Sequence, residues 1–363
     1  MSVTAPDVVA GATGAGTPAS SLPVVVVGGG QAGLATSYYL RRADVEHVVL
    51  DDQDRPGGAW RHTWPSLRLF SPAAHSSLPG WPMPPSGEQY PDADHVVDYL
   101  TRYEERYEVP VRRGVRVRAV SAQGEAYRVV TDRGAWEAAA VVSATGTWSR
   151  PFVPAVPGLG SFGGRQLHSA RYAGPGELTG LRVLVVGGGN SGAQVATDLL
   201  PHARVTWCTR TPPRYLPDDV DGRELFRVAS LRVRGLGEGV GGLGDVVAVP
   251  SVRRARDAGL LRPVPMVERF TPTGARWADG TSATIDAVVW CTGFRPALGH
   301  LHRARLPRED GRPVTDGPTV QGRPGLQLVG YGDWCGAASA TLVGVGQWAR
   351  LAVSRIGREP TRP

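Results

Sequence analysis

Two stretches of the chain share one pattern of apolar and polar positions. Residues 24–27 (VVVV) form an unbroken β-branched run, short enough for a strand buried on both faces. The run ends in GGGQAG (28–33), and LATSYYLRR follows with helical spacing. Residues 183–186 (VLVV) end in GGGNSG (187–192), followed by AQVATDLL, again helix-like. A second strand then closes each unit, HVVLD ending at Asp51 and RVTWCTR ending at Arg210. Later, each unit has an apolar strand running into Thr-Gly and then a Pro. The first follows a turn at 132–134 and ends SATGTWSRP; the second follows a turn at 279–280 and ends CTGFRP. The pattern predicts an α/β protein with two Rossmann-like units.

The repeated GxGxxG turn has a physical reading. Its first Gly makes the tight turn, its second lets backbone approach a pyrophosphate, and its third allows close helix–strand packing. Phosphates then rest on free N–H groups at the helix N-terminus. Gly28, Gly30, Gln31 and Gly33 build the first cradle, and Gly187, Gly189, Asn190, Ser191 and Gly192 the second. The same 23 residues separate Gly28 from Asp51 and Gly187 from Arg210. A carboxylate at Asp51, with Asp52 beside it, accepts from ribose hydroxyls, so the first site should hold FAD. A guanidinium at Arg210 pairs with a 2′-phosphate, so the second should prefer NADPH. Thr145–Gly146 and Thr292–Gly293 are the expected crossover points beside the bound dinucleotides.

Composition removes several alternatives. With 48 glycines and 31 prolines in 363 residues, the chain stays below the roughly 25–30% share that marks low complexity. Apolar runs fall far short of the roughly 18 residues of a membrane span. The net charge of +7 is all arginine, with no lysine, two isoleucines and one asparagine. Such usage reflects GC-rich coding, and no Arg run exceeds two residues, so the charge is not read as a nucleic-acid surface. Cys208, Cys291 and Cys335 are widely spaced without a CxxC, which fits free thiols in a reducing cytosol and no metal site. Residues 1–22, small and polar without an apolar core, read as a disordered leader and not as a signal peptide.

Taken together, GGGQAG with Asp51, GGAW (57–60), SATGTWSRPFVP (143–154), GGGNSG and CTGFRP resemble the flavin-containing monooxygenases, two-dinucleotide-binding-domain flavoproteins with thioredoxin reductase as a distant relative. FGGRQLHSARY fits that family's FxGxxxHxxxY/F pattern through Phe162, Gly164, His168 and Tyr172. Tyr172–Ala173 stands where ketone-oxidising relatives have Trp followed by Pro or Asp, which points toward heteroatom oxidation or a YUCCA-like decarboxylating oxidation. TWPSLRLFSP, LPDDVDGR and GYGDW look like the flavin monooxygenases of bacterial arsenic-resistance operons. The chain also departs from the family. Gln194 takes the place of an acidic residue after the second Gly-rich turn, and Ser71 is the substitute for an Asn beside the flavin.

The resemblance implies an FAD domain of residues 22–158 plus 285–363, with an NADPH domain of 159–284 inserted. It implies NADPH reducing the flavin, O2 adding at C4a to give a (hydro)peroxyflavin, and one oxygen atom passing to a small substrate through sulfur, nitrogen or arsenic oxidation. Trp60 and Ser71 are the expected walls of the reacting ring, Gly58 approaches the flavin, Asp333 meets its ribityl or phosphate region, and a helix starting near Thr341 points at its pyrimidine edge. Residues 222–262 are expected to roof the substrate site. His168 is expected to act structurally. The alternative is a thioredoxin-reductase-like flavoprotein reductase lacking a redox-active CxxC. The sequence leaves a homodimer open.

Overall fold

The computed structural model describes residues 20–222 and 246–356, with Glu224 and Arg227 between them. The chain opens with β1 (Ser20–Val27), α1 (Gln31–Arg42) and β2 (His47–Leu50), then α2 (Ala93–Arg106) and β3 (Val111–Arg112). Three strands follow, β4 (Val117–Gln123), β5 (Ala126–Thr131) and β6 (Gly134–Ser143). The next unit holds β7 (Arg165–His168), β8 (Arg182–Val186), α3 (Asn190–Leu199), β9 (Arg204–Thr209), α4 (Pro250–Asp257) and β10 (Pro263–Pro265). A small meander of β11 (Arg269–Thr271), β12 (Gly274–Arg276) and β13 (Ser282–Thr284) leads to β14 (Ala287–Trp290). The chain closes with β15 (Arg308–Glu309), β16 (Arg312–Pro313), β17 (Thr315–Asp316), β18 (Thr319–Val320), β19 (Arg323–Leu328) and α5 (Leu342–Ile356).

Two sheets result. The first runs β3-β2-β1-β6-β19-β18-β17, with β5 and β4 added antiparallel beyond β6. Its centre is parallel, β1 lying between β2 and β6. The second is parallel throughout, in the order β10-β9-β8-β14-β7. Parallel strands are covered on both faces, so they need unbroken apolar runs. Val24–Val26 and Val183–Val185 are accordingly fully buried. Leu34, Ala35 and Leu40 of α1 share a core with Val345, Ala349 and Ala352 of α5. Val195 and Leu199 of α3 share another with Val252 and Ala255 of α4.

Three expectations change. β1 begins at Ser20, because Ser20–Leu22 pair with Trp136–Ala138, so the leader reading of 1–22 overruns a strand. The boundary at residue 285 falls too early. β14 continues the second sheet between β8 and β7, and the chain returns to the first unit only after Cys291. Of the 222–262 excursion, α4 packs its apolar face into the second core rather than lying as a cover; residues 235–244 fall outside the described residues. No helix among the described residues is long and apolar enough to cross a membrane.

Candidate functional site

The two Gly-rich turns are built alike, down to single atoms. Gly28 N–H donates to the Leu50 carbonyl at 2.8 Å, and Gly187 N–H to the Cys208 carbonyl at 2.9 Å. Ala144 N–H donates to Val27 O at 2.8 Å, and Cys291 N–H to Val186 O at 2.7 Å. Gly28 and Gly187 both have positive φ, 107° and 138°, and a Cβ on either would strike a carbonyl oxygen, that of Ala144 at 2.6 Å or of Cys291 at 2.2 Å. A Cβ on Gly33 would lie 1.9 Å from Gly28 O, and one on Gly192 would lie 2.0 Å from Gly187 O. Nothing lies within 4 Å of a Cβ on Gly189, and a Cβ on Gly30 would meet only Gly58 Cα at 3.8 Å. The outer and inner glycines are thus fixed by backbone, whereas the middle one faces open space where a ligand backbone can pass. Gly30 and Gly189 are also the N-caps of α1 and α3, and neither helix has a side-chain cap. With no side-chain cap, the first turn of α1 presents its N–H groups to an anion.

The first turn opens on a cleft of about 490 Å³, within the range of small-molecule and cofactor sites. Gly28, Gly30, Gln31, Asp51, Asp52, Gly58, Trp60, Thr145 and Gly146 all line it. Gln31 joins three of its walls: its Oε1 accepts from Trp60 Nε1 (2.9 Å) and its Nε2 donates to the Ala340 carbonyl (2.8 Å). Asp51 is buried at the end of β2 beside Gly29, and burial pushes its carboxyl above the usual range against the pull of Arg113. The residues fit a dinucleotide: free helix N–H groups for phosphates, a carboxylate for ribose hydroxyls, and a Gly-lined floor that any Cβ would fill.

Other expected site residues lie elsewhere. Ser71 is buried under Gly222, outside the cleft lining. Asp333 is exposed, its Oδ1 accepting from Ala338 N–H at 2.8 Å. Thr341 caps α5, its Oγ1 accepting from Gly344 N–H at 3.0 Å, and the cleft meets its neighbour Ala340 instead. Thr292 and Gly293 form the return crossover. Phe152 N–H and His168 Nε2 share the Gly293 carbonyl, and Pro151 bridges Phe294 antiparallel. Arg210 follows β9, exposed, with Asn190 Oδ1 accepting from Val247 N–H at the opposite side of the turn. The three cysteines are free and buried, and burial pushes the Cys208 thiol up to about 11 and Cys291 up to about 12.

Two features carried no sequence signal. Arg113 pairs with both Asp51 and Glu104 of α2, so the cleft-lining carboxylate of Asp51 is held in place by a guanidinium. Behind Thr145, a buried chain of Ser143, His300 and Tyr331 fixes the crossover turn. Ser143 Oγ meets His300 Nε2 at 2.9 Å and Tyr331 OH at 2.5 Å, while Tyr331 OH also meets Thr145 Oγ1 at 2.7 Å. Burial pushes His300 down to about 4 and Tyr331 up to about 12.

Comparison with known proteins agrees with this geometry. Residues 25–221 match the pyridine nucleotide-disulphide oxidoreductase family. A flavin-containing monooxygenase of Stenotrophomonas maltophilia is 49% identical, with a TM-score of 0.87 over 93% of this chain and 98% of that one. An oxidoreductase of Geobacillus kaustophilus named CzcO-like is 29% identical over 92% of this chain and 97% of its own. The indole-3-pyruvate monooxygenase YUCCA4 of Oryza sativa is 28% identical over 88% of both. The likeness to arsenic-operon enzymes has no counterpart in the names of these relatives.

Proposed function

This chain belongs to the pyridine nucleotide-disulphide oxidoreductase family, as a flavin monooxygenase, and on that premise we propose that it uses FAD and NADPH to oxidise a small sulfur- or nitrogen-containing substrate. One observation carries the reading: two equivalent cradles end their second strands in opposite charges, Asp51 buried in one and Arg210 exposed in the other. Bound flavin supplies the redox chemistry, accepting a hydride and passing electrons to O2 so that one oxygen atom reaches substrate and the other becomes water.

The chain's own residues orient and shield. Free N–H groups at the start of α1 receive the FAD pyrophosphate, and Asp51, braced by Arg113, takes the adenosine ribose hydroxyls. Trp60, fixed by its bond to Gln31, walls the cleft and keeps water from the ring. The start of α3 receives the NADPH pyrophosphate, and Arg210 takes the 2′-phosphate in bidentate fashion. Tyr172, held by donation to Asp198 at 2.7 Å, supports heteroatom rather than ketone oxidation.

The test is anaerobic mixing with each pyridine nucleotide, followed by oxygen uptake with candidate thioethers and amines. NADPH should bleach the flavin faster than NADH, and substrate should accelerate NADPH use without raising peroxide. Arg210→Ala should weaken NADPH by about 1.5–3 kcal/mol, as for a lost charge-assisted bond, with NADH unchanged. Equal losses for both nucleotides would contradict the 2′-phosphate role, and a flavin that NADPH cannot bleach would refute the enzyme reading.

A further inference from the structure

Gln194 lies in the second turn of α3, behind the second Gly-rich turn, and is buried despite its polarity. Its side chain turns away from the cradle. Its Oε1 accepts from the Arg68 backbone N–H at 3.0 Å, and its Nε2 donates to the Arg68 carbonyl at 3.1 Å. One amide thus grips one residue at both polar ends, as a neighbouring strand would. On the opposite flank Leu69 N–H donates to the Pro91 carbonyl, and Arg68 bridges Asp92 antiparallel. The gripped segment straddles both units. Leu69 is buried in the core of the first, which Trp60 also contacts, while Leu67 packs on the core of the second. Next to it, Phe70 O accepts from Gly222 N–H at 2.7 Å.

We propose that Gln194 is a positioning residue that ties the segment 67–71 to the helix receiving the pyridine nucleotide, so that docking on α3 stiffens a segment whose Leu69 is buried in the core against which the cleft residue Trp60 packs. The inference rests on the reading of α3 as that helix's role. Chemistry selects glutamine here. A carboxylate could accept from the Arg68 N–H but would set an unshared lone pair against the Arg68 carbonyl, and an apolar side chain would remove the protein partner of both part-buried groups.

Hydrogen exchange of peptides covering 66–70 tests the tie without any turnover, in wild type, Gln194→Leu and Gln194→Glu, with and without NADP⁺. In the wild type NADP⁺ should slow exchange at Arg68. In Gln194→Leu exchange there should rise about tenfold and ignore NADP⁺, and hydride transfer to flavin should slow by about tenfold while the NADPH Kd stays within twofold. Gln194→Glu should behave like Gln194→Leu at pH 8 and recover as pH falls, because a protonated carboxyl both accepts and donates; wild type and Gln194→Leu should show no such recovery. Flavin retained at full stoichiometry in both variants certifies the fold. Wild-type exchange indifferent to NADP⁺, an unchanged hydride-transfer rate in Gln194→Leu, or a pH-independent Gln194→Glu each overturns the proposal. Failure of NADPH to bleach wild-type flavin sinks the enzyme reading instead, and leaves the exchange data to decide the tie.

Discussion

Single atoms separate glycines that serve the fold from those that serve a ligand. A methyl on Gly33 or Gly192 meets a carbonyl oxygen at about van der Waals overlap, 1.9 or 2.0 Å away, so backbone must move. Gly33→Ala should therefore lower stability by about 1–3 kcal/mol in urea unfolding and release flavin. Gly189→Ala should leave unfolding unchanged, since its methyl points into free space, and yet weaken NADPH at least tenfold in titration. A stable Gly33→Ala, or a tight-binding Gly189→Ala, would contradict the division. Arg113→Gln strands the carboxylates of Asp51 and Glu104, both already raised by burial, and should cost about 3 kcal/mol at neutral pH with loss of flavin. The glycines were legible because their spacing has a backbone cause. Arg113 was not: it is one of 40 arginines, and its partner Asp51 lies 62 residues away.

Among elements, the crossover turn at Thr145 is held by side chains that no local pattern announces. Its supports come from β6, from the helical turn carrying His300 and from Tyr331 after β19. His300 stays neutral when folded, since burial holds it near 4, whereas in the unfolded chain it titrates near 6.5. The unfolded state thus takes up the proton first, and stability is lost as pH falls from about 6.5 toward 4. Between pH 7 and 5 the loss from this group should be about 2 kcal/mol. Comparing urea unfolding of wild type with His300→Gln at both pH values isolates it, and an unaltered difference would refute it. Strands β1, β6, β8 and β14 were readable from apolar runs ending in Gly or Thr-Gly, and β2 and β9 from runs closed by Asp51 and Arg210. The membership of β14 was not, since which sheet a strand joins is decided by partners such as Val183–Val186, over a hundred positions earlier.

For the molecule as a whole, the first cleft draws on segments far apart in the chain: the turn after β1, the Gly58–Trp60 turn, residues 144–149, His300, Gly330 and Ala340. Flavin bound there, as proposed, would tie parts far apart in sequence. At a hundredfold excess over its Kd it should add about 2.7 kcal/mol, and stripping it should lower the melting midpoint by a few degrees. An apoprotein melting with the holoprotein would place the cofactor elsewhere.

The paired crossovers have one more consequence. The outgoing strand at Pro151 and the returning strand at Phe294 lie side by side, joined by a bridge and by the Arg295 N–H to Arg150 O bond. Everything between them leaves and re-enters through a single doorway roughly 5 Å wide. The second unit thus joins the first through two adjacent connections, and any other unit grafted there would also have to cover Trp64, Leu67 and Tyr90, which reach into its core from outside that doorway.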